Sequence, residues 1–150
     1  MNTTTSKSTA IAQLYLRLAL GIDFLVIGLD RVGAWGPYGA KYVSWGDWEH
    51  YFAYAKTLMF FLPLPLAKLL AATATVCEIV FGALLVTGFL TRWAAIGSGI
   101  LTLCFALCMA AANGITSPIG YSVFVVSSSS FLLATLPYHK WSIDTFLKNR

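Results

Sequence analysis

The chain has 150 residues, of which 58% are hydrophobic and only 11% charged, with a mean hydropathy of +0.73; soluble domains average about 45–50% apolar and about 25% charged. That composition excludes an ordinary soluble enzyme, a disulfide-rich secreted domain and a disordered tail. The net charge of +4 does not indicate nucleic acid, because the Lys and Arg residues are scattered singly and read instead as anchors at membrane ends.

The first apolar span covers 10–29. Arg17 and Asp23 interrupt it and no small-residue cleavage site follows, so it reads as a retained helix and not as a signal peptide. Asp30 and Arg31 close it. An interfacial aromatic segment follows at 35–62, with Trp35, Tyr38, Tyr42, Trp45, Trp48, Tyr51, Phe52 and Tyr54 forming the kind of belt that sits at headgroup level. Within it Trp48, Tyr51, Phe52, Ala55, Leu58, Met59 and Leu62 recur at helical spacing, while Asp47, Glu49, Ala53 and Lys56 fall mainly on the other face. This predicts an amphipathic helix lying on the membrane, as a lid over the bundle end or as a substrate gate.

The second span covers 66–90 and contains Glu78; a short turn at Thr91 and Arg92 leads to the third, 93–112. The turn from Asn113 to Pro118 leads to the fourth, 119–136. From Trp93 to Tyr138 there is no Asp, Glu, Lys or Arg in 46 positions. As one helix that stretch would run roughly 70 Å, twice the hydrocarbon core, so it folds back at least once. All five prolines lie outside the spans or at their margins. Short connections make neighbouring helices antiparallel. The expected fold is therefore all-α: an integral membrane four-helix bundle, one transmembrane domain over 1–150, with an additional amphipathic interfacial helix in the first loop. Lys7, Arg92, Lys140, Lys148 and Arg150 on one side, against Arg31, Lys41, Lys56 and Lys68 on the other, place both termini in the cytoplasm.

An ionisable side chain at membrane depth costs several kcal/mol unless paired or hydrated. Arg17, Asp23 and Glu78, with Asp30 and Arg31 at the end of the first span, therefore form the candidate intramembrane polar site. Arg17, Gly21, Phe24, Gly28 and Arg31 share one helical stripe, and Asp23 and Asp30 another. Gly21 and Gly28 let a neighbouring helix approach closely, and Glu78 with Gly82 makes a matching face on the second span. Glu78 is expected to pack against the first span and to pair with Arg17 or Arg31, or to share a proton with Asp23. A purely structural ion pair fits the pattern equally well.

Cys104 and Cys108, four apart on one helix, are poorly placed for a disulfide, and with Cys77 they read as small hydrophobes. His50 and His139 lie outside the spans, where they cannot serve as axial haem ligands, and the same scarcity leaves no metal site within the chain. No phosphate loop, nucleophile elbow or zinc-protease motif is present. The run Ser127 to Ser130 can bond back along its helix or across to a neighbour.

The stretches YLRLALGIDFLVIGLDRV (Tyr15 to Val32) and CEIVFGALLVTGFLTRWAA (Cys77 to Ala95) resemble the DoxX family of small four-helix bacterial membrane proteins. Arg17, Gly21, Gly28, Arg31, Glu78, Gly82, Gly88, Thr91 and Arg92 fit the family's motif positions, and WSIDTFL (Trp141 to Leu147) is similar to its aromatic-Ser-Ile-Asp ending. The aromatic loop is longer than in the shortest members, and Asn113 ends the third span, where no site is assigned. The resemblance implies a location in the bacterial inner membrane. It also implies an accessory or quinone-proximal subunit of a thiol- or sulfur-type oxidoreductase system, with a redox partner protein or a second copy of the chain alongside the lipid bilayer. The bound small molecule would be a quinone or lipid, no cofactor being held by motifs of the chain itself, and no catalytic role is carried over to any residue. Two other readings stand beside it: a small oligomeric transporter coupled to protons through Glu78, and a non-catalytic membrane scaffold.

Overall fold

The structure, a computed structural model, describes residues 7–148. Their helices are α1 (Lys7–Asp30), α2 (Trp48–Leu58), α3 (Leu64–Thr87), α4 (Thr91–Asn113), α5 (Thr116–Gly120), α6 (Val123–Thr135) and α7 (Ile143–Lys148). Helices α1, α3 and α4 have 24, 24 and 23 residues and are long and apolar enough to cross a membrane. At about 1.5 Å per residue each runs roughly 35 Å, against about 30 Å of hydrocarbon. The fold is thus an all-α helical bundle of a membrane protein, as the composition requires.

The expected fourth span is broken. Ser122 sits in the left-handed region at φ 57°, separating α5 from the 13-residue α6, which alone is too short to cross. The turn after α3 also differs from expectation. It comprises Gly88 to Leu90, and Thr91 and Arg92 already belong to α4. Gly88 ends α3 at φ 70°, and its N–H and that of Phe89 both donate to the Leu84 carbonyl. A left-handed residue that closes a helix this way is normally glycine.

Helix α4 begins with no side-chain cap of its own. The cap comes from the C-terminal segment instead: the Asp144 carboxylate accepts from Leu90 N and Thr91 N, both at 2.8 Å, while Asp144 N donates to the Gly88 carbonyl. Burial pushes the Asp144 carboxyl up, but the Thr91 and Leu90 N–H donors outweigh it and hold the group below the usual carboxylate range. Asp144→Ala is expected to cost about 1 kcal/mol. Because the folded value is depressed, this contribution is complete above about pH 4 and disappears as pH falls through the folded value. The gap in unfolding midpoint between the chain and this variant should close on acidification; a gap that persists through acid would contradict the cap.

Helices α1 and α3 pack antiparallel through glycine. A Cβ on Gly21 would stand 2.9 Å from Val86 N and 3.1 Å from the Gly82 carbonyl oxygen, and one on Gly82 would stand 2.9 Å from Leu25 N. Backbones approach this closely only where side chains are missing. Helices α4 and α6 meet at Gly99, where the Phe131 ring packs and where Ser127 donates to the Gly99 carbonyl at 2.8 Å. Ser128 and Ser130 bond back within α6 to Val125 and Val126, so the serine run does both things expected of it. Between the helices lies an apolar core of Leu20, Leu85, Ala94, Ala95, Leu133 and Ala134.

Only 48–58 of the aromatic segment is helical. Its N-cap, Asp47, accepts from His50 N at 2.9 Å. Tyr51, Ala55 and Leu58 are its buried residues, and Tyr51 and Ala55 pack with Ala71 of α3. The apolar face thus turns inward on the bundle, and Glu49, Ala53 and Lys56 are exposed.

Candidate functional site

The register fixed by the glycines brings the end of α1 beside the middle of α3. Gly28 faces Ile79 and Glu78, so Arg31, one turn further, reaches Glu78. Arg31 Nη2 donates to Glu78 Oε1 at 2.9 Å and Nη1 lies 2.7 Å from Oε2. The two side chains are 4% and 14% exposed, so this is a buried, two-pronged ion pair. Nη1 also donates to the Tyr51 hydroxyl (3.0 Å) and to Thr75 Oγ1 (3.2 Å), and the guanidinium carbon stands 4.0 Å from the centre of the Tyr51 ring. Arginine suits this position because its planar fork meets a carboxylate with paired donors and stacks on an aromatic face at once. Arg31 Nε is buried and has no hydrogen-bond partner among the described residues. Burial pushes the Tyr51 phenol up, against the Arg31 charge that pulls it down.

Next to the pair is a half-open cleft of about 560 Å³. Asp23, Phe24, Ile27 and Arg31 of the first helix and its end form one wall, and Glu78 of α3 lies across from them. Trp45, Tyr51 and Tyr54 close it from the aromatic segment. The far wall is uncharged: Thr102, Phe105 and Met109 of α4, then Tyr121, Val123 and Val126. Asp23 is exposed towards this space and has neither a hydrogen bond nor an ion pair among the described residues.

The expected polar site therefore divides. Arg31, Glu78 and Asp23 come together at the cleft, and the alternatives for Glu78 resolve to Arg31. Asp30 does not join them: its Oδ2 accepts from Ser44 N and Trp45 N at 3.0 and 2.9 Å, tying the aromatic segment to α1. Arg17 does not join them either. It lies about 21 Å from Arg31 along the first helix, is 2% exposed, and donates from Nη2 to the Trp141 carbonyl at 2.8 Å. Its Nη1 sits where a side chain on Gly88 would be. Thr91 is buried beneath the Asp144 cap and Arg92 is exposed. The motif positions Arg17, Gly88 and Thr91 thus build the opposite end of the bundle, where the C-terminal segment docks, while Gly21, Gly28 and Gly82 set the register.

Sequence reasoning left out Tyr51 and Thr75 as partners of the ion pair. Thr75 precedes Glu78 by one helical turn and so shares its face, a signal that was present. Nothing distinguished Tyr51 from the other tyrosines of the segment. The third and fourth spans also line the cleft, which their lack of charge concealed. The cysteines stay outside it, and among the described residues no group of His, Cys, Asp or Glu is arranged to hold a metal ion.

In comparison with known proteins, the family model described as DoxX matches residues 12–111, two thirds of the chain. The match covers Arg31, Glu78 and the α4 wall and stops before α5, α6 and Asp144. No curated protein and no solved structure matches the chain.

Proposed function

The chain belongs to the DoxX family, and from that premise we propose that it is the quinone-proximal membrane subunit of a thiol- or sulfur-type redox system, with the cleft holding the quinone headgroup. The observation that carries this reading is the wall of the cleft. It combines the rings of Phe24, Trp45, Tyr54 and Phe105 with the carboxyls of Asp23 and Glu78 beside Arg31. A flat conjugated ring packs well against aromatic faces, and the volume lies within the roughly 300–1,000 Å³ of small-molecule sites. Carbonyl oxygens need N–H or O–H donors, which Arg31, Tyr51 and Tyr54 carry. Carboxyls at the same wall are the groups that exchange protons. A bound quinone would supply an electron-accepting ring whose carbonyls take up protons on reduction, and a partner protein would supply the electrons. The chain's own residues orient the ring, exclude water on the α4 side and offer the Asp23 carboxyl for proton exchange, while Glu78 holds Arg31 in place.

Proton-coupled transport has no comparable support, because Leu20, Leu85 and Leu133 fill the core between the cleft and the Arg17 end. A short-tailed benzoquinone titrated into the chain in lipid nanodiscs is expected to quench Trp45 saturably, with that component missing from Trp45→Phe. Quenching that rises linearly and is equal in both proteins would contradict the reading.

A further inference from the structure

The cleft is walled off unevenly. Around the bundle, α1 packs extensively on α3 and α4 on α6, with α3 against α4 between them, while α6 touches α1 far less than it touches α4. The break in the fourth span falls on this thin seam. Because α6 starts only at Val123, after the left-handed Ser122, the fourth span is interrupted at the depth where the cleft lies. The cleft residues flanking the seam are Ile27 on α1 and Tyr121, Val123 and Val126 on the other side. Ile27 is 39% exposed and Tyr121 75% exposed, and both line the half-open cleft, so neither side of the seam is covered over by the rest of the bundle there. Ile27 stands within one turn of the end of α1, which puts the opening inside the hydrocarbon but near one surface.

We propose that this seam is a lateral portal, and that the ligand is a membrane-partitioned amphiphile bearing an apolar tail. Resting on the headgroup reading above, the polar head lies at the Arg31–Glu78 end and the tail leaves between α1 and α6 across Ile27, Val123 and Val126. The broken helix, the scarce contact between α1 and α6 and the apolar threshold have one physical explanation in common. A tail that stays in lipid while its head enters protein needs a gap in the wall, and an apolar one. The ligand is then loaded from the bilayer and not from water, and its class narrows to quinones with an alkyl or prenyl tail.

The test compares two quinones with the same headgroup, one tail-less and one with a decyl tail, binding to the chain in nanodiscs. Narrowing the seam with Val126→Phe is expected to lower the ratio of decyl to tail-less affinity by about tenfold or more, as a misfit in an apolar slot does; an unchanged ratio would overturn the portal. A second measurement needs no seam variant. In nanodiscs of phospholipid brominated along the acyl chain, Trp45 emission, taken as the difference between the chain and Trp45→Phe, is expected to be quenched relative to unbrominated lipid. Quenching by brominated lipid with no quinone binding would leave the portal standing and remove the headgroup assignment. No quenching would overturn the portal even if the tail-less quinone bound.

Discussion

Arg31→Leu is expected to destabilise the chain by about 3–5 kcal/mol, the cost of removing one partner from a buried ion pair. The loss is large because Glu78 keeps its place. Its side chain is 14% exposed, it sits on a membrane-spanning helix, and without the guanidinium nothing among its neighbours balances its charge. Tyr51 and Thr75 would lose the donor they share, loosening α2 from α3 as well. Glu78→Leu leaves the converse, an unpaired buried cation, and should cost a similar amount. The double variant Arg31→Leu with Glu78→Leu is expected to recover most of the loss, since an apolar pair of similar volume can replace a buried salt bridge without penalty. Unfolding midpoints in one detergent or lipid, combined as a double-mutant cycle, measure the coupling. Two single variants whose losses simply add in the double would show that the pair is not a unit.

Gly21→Leu and Gly82→Leu are expected to cost about 3 kcal/mol or more each, at or beyond the upper end for overpacking. The reason lies in what the new side chains would meet. At Gly21 the obstacles include Val86 N and the Gly82 carbonyl; at Gly82 they include the Gly21 carbonyl and Leu25 N. These are backbone atoms of a helix pair and cannot turn aside as a side-chain end can. Separating α1 from α3 would also draw Arg31 away from Glu78, so the cleft should be lost along with stability. Gly120→Ala is the control: nothing lies within 4 Å of a Cβ there, and the change is expected to stay within about 0.5 kcal/mol. Thermal unfolding of all three separates the contact from the mere loss of glycine; equal effects would contradict it.

The long spans were legible because lipid demands apolar runs of about 20 residues and helix geometry to go with them. Helix α2 was legible because its apolar and polar residues alternate at a helical period. The break at Ser122 was not: a single left-handed residue inside an apolar stretch leaves no mark in composition beyond Gly120 two positions before it. The partner of Glu78 was legible only as a choice. Arg17 and Arg31 fall on one helical stripe of the first span and its end, so spacing could not select between them. The antiparallel register does so, by setting Gly28 against Ile79, and register is a property of two helices together. Asp144 illustrates the same limit. Its place in the tail motif was visible, but its role as the cap of a helix that begins 53 positions earlier exists only once the C-terminal segment has folded back.

The most direct measurement of the proposed function is the small-molecule content of the chain itself. Purified gently from bacterial membranes in native lipid and extracted with organic solvent, the folded protein is expected to release about one tailed quinone per chain, and the register-disrupting Gly82→Leu protein almost none. Folded protein that carries no quinone, and takes none up from quinone-loaded nanodiscs, would contradict the account.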